Sequence, residues 1–201
     1  MKKRIYLMRH GQTLFNLHKK IQGWCDSPLT DEGIRQAGYA RRYFENANIQ
    51  LDHAYSSTQE RASDTLELTV DMPYKRLKGL KEMNFGIYEG ESEYLHQPRS
   101  RKDQHSFERE YVKFGGEANT DVVARFERTL REKMDQPDHQ EALFVSHAAA
   151  IYFFTLKWFP EVIYHRDKVK FANCSILVWD YEDGKFEFVE SIDHDFDEAL
   201  D

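Results

Sequence analysis

Two apolar runs of strand type each stop at a histidine, and this feature constrains the fold more than any other in the chain. The first run, "RIYLM" (4–8), stops at Arg9-His10-Gly11, and the second, "EALFVS" (141–146), stops at His147. Runs of this kind predict strands of an α/β sheet. In parallel α/β sheets, ligands bind at the carboxyl ends of the strands. Both histidines are therefore predicted to reach a ligand site at one edge of the sheet.

Between and beyond these runs, strand and helix patterns alternate along the chain. The predicted order is strand 4–9, helix 31–46 after the N-cap Thr30, strand 52–56, a helical face through 62–70, a helix starting at Thr120-Asp121, strand 141–147, a helix over 148–158 ended by Pro160, and a hairpin around Asp183-Gly184. This order predicts a three-layer α/β/α sandwich. Its central sheet is mostly parallel and ends in a C-terminal antiparallel hairpin.

The domain organisation is predicted to be simple. No internal repeat or low-complexity linker divides the chain, so residues 1–201 are expected to form a single domain. The segment 91–118 differs from the rest because it is polar, contains Pro98 and Gly115-Gly116, and shows weak periodicity. We expect it to form a lid or a helical insertion over the site.

Composition narrows the classes of partner. A formal net charge of −7 argues against nucleic acid, although a local basic pocket can still bind a small anion. No apolar stretch reaches membrane-spanning length and the N-terminus lacks the features of a signal peptide, so a cytoplasmic protein without a membrane partner is expected. Cys25 and Cys174 form no CxxC pair. No metal ligand cluster is recognised, and we expect no metal or cofactor.

The first histidine lies in a tripeptide suited to anions. The planar guanidinium of Arg9 matches phosphate oxygens, and a turn at Gly11 can direct backbone N–H groups at an anion. Arg9-His10-Gly11 is therefore a candidate anion site with a histidine in its floor. The alternative for the tripeptide alone is a surface arginine beside a hydrogen-bonded loop histidine.

Three further segments carry residues of compatible chemistry. "AYSSTQERASDT" (54–65) places Arg61 one turn into a helix, "LKEMNFGIYEG" (80–90) contains Glu82, and "FVSHAAA" (144–150) contains His147. Each has a structural alternative when it is taken singly. These alternatives are an exposed helix arginine, a solvated glutamate and a hydrogen-bonded core histidine.

Together, the order and spacing of these segments resemble the histidine phosphatase superfamily, also called phosphoglycerate-mutase-like. The shared pattern is RHG, then SS-x-x-x-RA, then L-x-E-x-x-FG-x-x-EG, and finally SH after an apolar strand. The stretch "IQGWCDSPLTDEGIRQA" (21–37) also resembles the segment that follows the first motif in that family. The resemblance covers residues 4–150, which is most of the chain.

The resemblance implies a role for each matched residue. His10 matches the nucleophilic histidine that takes the phosphoryl group, and Glu82 matches the usual proton donor. The phosphate-binding residues would be Arg9, Arg61 and His147. Three more matches imply substrate contacts, namely Asn16 from "RHG-x-T-x-x-N" and the neighbouring pair Gln22 and Gly23. Ala148 departs from the family, which commonly has glycine after the second histidine, and its methyl group is expected to alter the shape of the pocket.

The chemistry implied is phosphoryl transfer to an uncharged imidazole, with the cationic side chains offsetting phosphate charge. The expected activity is metal-independent hydrolysis of small phosphomonoesters, with a small phosphorylated metabolite as partner. Nearby phosphate should keep Glu82 protonated, so that it can protonate the leaving alkoxide. Two alternatives remain open at this point, a cofactor-dependent phosphoglycerate mutase and a non-catalytic module that binds phosphorylated ligands.

Substrate choice must come from residues outside the shared phosphate pocket. Arg99, Arg101 and Lys102 are candidates for reading a second anionic group, against the alternative of a solvated charge run on a loop. Trp24 is a candidate for packing on the organic part of a ligand, or merely on Leu29. The C-terminal hairpin is expected near a sheet edge, where a homodimer is one way to cover it.

Overall fold

One sheet organises the part of the chain that the computed structural model describes, which comprises residues 2–95, 107–165 and 167–196. Within these residues the sheet has six strands in the order β3-β2-β4-β1-β5-β6. The strands are β1 (Lys3–Arg9), β2 (His53–Ser57), β3 (Tyr74–Leu77), β4 (Glu141–Ser146), β5 (Ile176–Glu182) and β6 (Lys185–Ile192). The α-helices are α1 (Leu14–Leu17), α2 (Asp31–Asn46), α3 (Glu60–Thr69), α4 (Asn119–Met134) and α5 (Ala148–Trp158).

Strand pairing confirms the predicted mixture of directions. Strands β1, β2, β3 and β4 run parallel, whereas β5 is antiparallel to β1 and β6 is antiparallel to β5. The register of β1 against β4 pairs Arg9 with Ser146. The residues that follow, His10 and His147, therefore leave two neighbouring strands at the same level of the sheet.

Side-chain alternation along the strands creates the three layers. In β1, Ile5 and Leu7 are fully buried on the face covered by α4 and α5, whereas Tyr6 and Met8 pack on the opposite face with α2 and α3. Successive strand residues point to opposite faces, so burial on both faces explains why the strand reads as a continuous apolar run. The predicted three-layer α/β/α sandwich is confirmed.

Local sequence signals explain where several elements begin and turn. The side chain of Thr30 accepts a hydrogen bond from the backbone N–H of Gly33 and caps α2 as predicted. Asp183 and Gly184 have φ values of 49° and 77°, which are the positive angles that a tight hairpin turn requires. Strand β3 was missed because "YKRL" is polar and lies at the edge of the sheet, where it needs no apolar run.

The described parts of 91–118 pack beside the segment that carries Glu82. Tyr111 is buried, and its ring lies 4.9 Å from that of Phe85 between centroids. Arg99, Arg101 and Lys102 lie outside the described residues, and both the lid and the single-domain organisation stay predictions. Cys25 and Cys174 are free thiols. Among the residues described, no helix is long and apolar enough to cross a bilayer.

Candidate active site

His10 is held as an uncharged imidazole in the loop after β1. Its Nδ1 lies 2.7 Å from the carbonyl oxygen of Gly11, and its Nε2 lies 3.2 Å from Nε of Arg61. A carbonyl can only accept and a guanidinium can only donate, so Nδ1 carries the proton and Nε2 presents a lone pair. Burial, followed by the charges of Arg61 and Arg9, lowers the pKa of His10 well below its usual value. The ring is therefore neutral and has an unprotonated Nε2.

Arg61 lies fully buried in the first turn of α3 and points at His10. Besides its contact with the imidazole, its guanidinium donates to the carbonyl oxygens of Gly23 and Cys25 and forms an ion pair with Asp26 at 2.8 Å. A buried guanidinium needs such partners, since an unpaired buried charge is costly. These contacts fix the direction of the Nε–H bond that faces His10.

His147 is completely buried at the carboxyl end of β4, and its ring centroid lies 5.2 Å from that of His10. Burial, then the charge of Arg61, lowers its pKa well below the usual value. Among the described residues, neither ring nitrogen of His147 has a hydrogen-bond partner, and the same holds for Nε of Arg9. Buried polar atoms without partners are rare in folded proteins and point to a missing ligand. Their clustering around His10 suits an anion.

The carboxylate of Glu82 lies at the N-terminus of α5, which begins directly after His147. Its Oε1 accepts hydrogen bonds from the backbone N–H groups of Met83 and Ala150, at 2.8 and 2.9 Å. Its Oε2 accepts a single longer bond of 3.1 Å from Ala149. Oε2 therefore has more remaining capacity to carry or accept a proton. Glu82 thus lies close enough to Arg9 and Arg61 to interact with their charges, and its carboxylate caps the helix that follows His147.

The remaining predicted site residues are Asn16, Gln22, Gly23 and Ala148. Asn16 accepts from Thr13 and Asn173, so its Oδ1 is occupied, while its Nδ2 makes no bond within the described part of the chain. Gln22 is buried and donates to Thr13. Gly23 acts through its carbonyl, which accepts from Arg61. Ala148 begins α5 with an ordinary negative φ, so the backbone does not require the glycine that the family commonly has there.

Glu89, to which the sequence analysis assigned no role, packs against Gly23. Gly23 has a φ of +57°, and a Cβ there would meet Oε1 of Glu89 at 2.2 Å. The Glu89 carboxylate accepts from the backbone N–H groups of Trp24, Cys25 and Phe85. Glu89 therefore ties the loop that holds Arg61 to the segment that follows Glu82. The signal was the glutamate of the "EG" pair in "NFGIYEG".

Two further supports were also missed. Gln59 is buried, and its side chain donates to the carbonyl oxygen of Gly23 at 2.5 Å and accepts from the backbone N–H of Glu82 at 2.9 Å. Arg125 donates to the carbonyl oxygen of Glu82 at 2.8 Å while pairing with Glu117. Gln59 and Arg125 give no sequence signal, because their partners are backbone atoms of residues far away in the sequence.

Trp24 lies at the exposed side of the site. Its indole N–H donates to the carbonyl oxygen of Glu82 at 2.9 Å, and the ammonium of Lys81 lies 3.6 Å from its ring centroid. Such a cation over an indole face is attractive. Trp24 is thus partly exposed and oriented by the backbone of Glu82, and its packing on a ligand stays a prediction.

The mostly parallel sheet carries a neutral histidine, two arginines and a second histidine at the carboxyl ends of β1 and β4, which defines an α/β protein with a cationic pocket at that place. The comparison with known families makes this specific. The family model of the histidine phosphatase superfamily (branch 1) matches residues 5–194, and the chain belongs to that superfamily.

Similar proteins include both mutase-named and phosphatase-named members. The chain is 30% identical over 187 residues to a "Probable phosphoglycerate mutase GpmB" from Yersinia pestis, covering 89% of this chain and 85% of that protein. A phosphoglycerate mutase structure from Bacillus anthracis matches with a TM-score of 0.78 at 23% identity, covering 94% and 92%. A mycobacterial glucosyl-3-phosphoglycerate phosphatase with VO3 matches with a TM-score of 0.77 at 22% identity, covering 94% and 98%. These structural matches show the shared fold.

Proposed function

We infer that this protein is a metal-independent phosphatase that hydrolyses small phosphomonoesters through a phosphohistidine on His10. The observation that carries the proposal is the tautomer of His10. Nδ1 of His10 donates to the carbonyl oxygen of Gly11, and the lone pair of Nε2 faces the Arg61 guanidinium. A lone pair directed into a cationic pocket is what attack on a negatively charged phosphoryl group requires.

The first step transfers the phosphoryl group to His10. Phosphate oxygens replace the lone pair of His10 as acceptor for the Nε–H of Arg61, which frees Nε2 to attack phosphorus. The unpartnered Arg9 Nε–H and the His147 ring would bind the other oxygens. The bond from phosphorus to the ester oxygen breaks with its electron pair, and a proton from Oε2 of Glu82 neutralises the leaving alkoxide.

The second step returns the enzyme to its starting state. A water molecule attacks the phosphohistidine from the side that the alcohol has left, and the Glu82 carboxylate takes its proton. The bond between phosphorus and Nε2 breaks, inorganic phosphate leaves, and His10 is again neutral. Arg9 and Arg61 offset the charge of the phosphoryl group and the neutral ring of His147 donates a hydrogen bond to it, so the proposal needs no metal ion.

The decisive experiment combines activity with trapping of the intermediate. Chelator-treated protein should hydrolyse p-nitrophenyl phosphate and yield an acid-labile phosphoenzyme on rapid quenching. The variant His10→Ala should lose both, whereas His165→Ala, which removes an exposed histidine, should retain both. Full activity in His10→Ala would refute the assignment. A stable chain that binds phosphate but never forms the phosphoenzyme would instead support the non-catalytic binding module.

A second candidate function is phosphoglycerate mutase activity, which the 30% identical relative named "Probable phosphoglycerate mutase GpmB" favours. In a mutase, the phosphohistidine passes its phosphoryl group to a second hydroxyl of the substrate instead of to water. The two activities separate in an assay of 3-phosphoglycerate with and without the bisphosphorylated primer. Rapid isomerisation with little phosphate release would favour the mutase, and steady phosphate release without primer would favour the phosphatase.

A further inference from the structure

Two histidines and an aspartate cluster at the amino ends of β2 and β4, whereas His10 follows the carboxyl end of β1. His53 begins β2, while Asp138 and His139 lie in the loop between α4 and β4. One ligand atom from each of these three residues lies within 4.8 Å of the others. Strand β4 has 6 residues, so at about 3.3 Å per residue this end of the sheet is roughly 20 Å from the candidate active site. The cluster takes no part in the proposed phosphoryl transfer.

The tautomer of His53 leaves a lone pair aimed at a carboxylate. Its Nδ1 lies 2.9 Å from Oδ1 of Asp52, and because a carboxylate only accepts, Nδ1 carries the proton. Nε2 of His53 lies 3.5 Å from Oδ2 of Asp138. An imidazole lone pair and a carboxylate oxygen that face each other repel, and both can bind a metal cation placed between them.

The outer contacts match those of histidine ligands in metal sites. Asp52 is itself fixed, since its Oδ2 accepts from the backbone N–H groups of Gln140 and Glu141 at 2.5 and 2.9 Å. His139 is buried, its Nδ1 donates to Oδ1 of Asp138 at 2.8 Å, and its Nε2 lies 2.6 Å from the hydroxyl of Tyr55. Binding of an ion at Nδ1 therefore moves the ring proton to Nε2, where the oxygen of Tyr55 accepts its hydrogen bond. Histidines that bind metals usually have their other ring nitrogen held by a carboxylate or another polar group. Both histidines here have such a partner.

We propose that His53, Asp138 and His139 form a binding site for a divalent transition metal of the zinc class. Two imidazole nitrogens and one carboxylate oxygen are a donor set that Zn²⁺ accepts, with water completing the coordination. A dication also balances the two carboxylates of Asp52 and Asp138. The site joins the start of β2 to the loop before β4, so the bound ion would stabilise this end of the sheet and leave the phosphoryl chemistry unchanged.

The rings of His53 and His139 are stacked, with centroids 3.6 Å apart and planes inclined by 7°. In stacked rings the lone pairs of His53 Nε2 and His139 Nδ1 run side by side and do not converge on one ion. Binding of one ion by both nitrogens therefore requires one ring to tilt. His53 is the ring able to tilt because its side chain is 30% exposed, and the 69% exposed side chain of Asp138 can move aside to admit the ion. His139 remains fixed by Tyr55.

The test is Zn²⁺ binding to the whole chain after chelator treatment, followed by isothermal titration and by thermal unfolding. Wild type should bind one Zn²⁺ at this site, and a hundredfold excess over Kd should raise Tm by about 5–10 °C. His53→Gln and Asp138→Asn change partly exposed side chains and should abolish both signals. His18→Ala, which removes an exposed histidine elsewhere, should leave them intact.

Zinc can also bind other histidines, so the same titration is repeated on His10→Ala. Retention of the site in His10→Ala and its loss in His53→Gln supports the proposal. Loss in His10→Ala with retention in His53→Gln would assign the ion to the catalytic pocket and overturn it. Absence of saturable binding in folded wild type would overturn it as well.

Discussion

Replacing Gly23 by alanine tests whether the loop that holds Arg61 requires a residue without a Cβ atom at this position. Two effects of the methyl group are separable. The φ of +57° is unfavourable for any L-residue other than glycine, at a cost of about 1–2 kcal/mol. The new Cβ would also lie 2.2 Å from Oε1 of Glu89, 2.7 Å from its Cδ and 2.9 Å from Phe85. These distances are far inside van der Waals contact.

The flexibility of Glu89 does not relieve this clash cheaply. Its Oε1 accepts from the backbone N–H groups of Trp24 at 2.7 Å and Phe85 at 3.1 Å. A hydrogen bond to a charged group contributes about 1.5–3 kcal/mol, so moving the carboxylate away costs at least that amount. We expect Gly23→Ala to lower the free energy of unfolding by about 3–5 kcal/mol in total. Displacement of the Gly23 carbonyl would also remove one of the contacts that orient Arg61.

Gly115→Ala is the matched control. Gly115 has a φ of +81°, yet a Cβ there would meet nothing within 4 Å. It therefore carries the backbone penalty of about 1–2 kcal/mol without the clash. Its kcat/KM should stay near that of wild type, whereas misplacement of Arg61 should lower kcat/KM of Gly23→Ala by about 100-fold.

The assays are urea unfolding for stability and initial rates with p-nitrophenyl phosphate for activity. The rates are measured at a temperature where both variants are folded. If Gly23→Ala and Gly115→Ala lose the same stability and both keep wild-type kcat/KM, the reasoning fails. The carboxylate of Glu89 would then be free to move, and Gly23 would not position Arg61.

Three further predictions address the acid, its support and the buried imidazoles. Glu82→Gln removes the proposed proton donor and should lower kcat by about 100-fold or more. The loss should be larger on an alkyl phosphate than on p-nitrophenyl phosphate, whose leaving group needs no proton, and equal losses on both would contradict a donor role. Arg125→Met removes the partly buried ion pair with Glu117 and the hydrogen bond to the Glu82 carbonyl, and should cost about 1–3 kcal/mol of stability and reduce kcat by misplacing Glu82. A variant with normal kcat would show that the guanidinium only supports the fold. Burial lowers the pKa of His10 and His147 below the usual 6.5, so the stability that their neutral forms contribute is present above pH 6.5 and is lost as the pH falls further. Urea unfolding from pH 7 to 5 should show this decline, with a shallower slope in His147→Gln, and an unchanged slope would refute it.

Much of the fold could be read from the sequence because buried parallel strands and capped helices have strong local signatures. The apolar run before His10, the Thr30 cap and the Asp183-Gly184 turn each led to an element that the structure confirms. Strand β3 was not predicted because it pairs on one side only and carries polar residues. The short helix α1 escaped because four residues carry no periodicity.

The candidate site divides in the same way. The residues with distinctive chemistry were predicted from motifs, and the structure brings Arg9, His10, Arg61, Glu82 and His147 together. The supports Gln59, Glu89 and Arg125 were not predicted. Each acts by bonding backbone atoms of a segment far along the chain, and such bonds leave no mark on local composition or periodicity.

By itself, the sequence determined the layer order, the strand ends at which histidines emerge and the family to which the chain belongs. Those properties follow from side-chain periodicity and from residue spacing, which are local. Only the tertiary structure decided which nitrogen of His10 carries the proton, which atoms hold Arg61 and Glu82, and that His53 meets His139. Protonation and contact depend on partners that folding brings within about 3 Å, and the order of residues along the chain does not specify those distances.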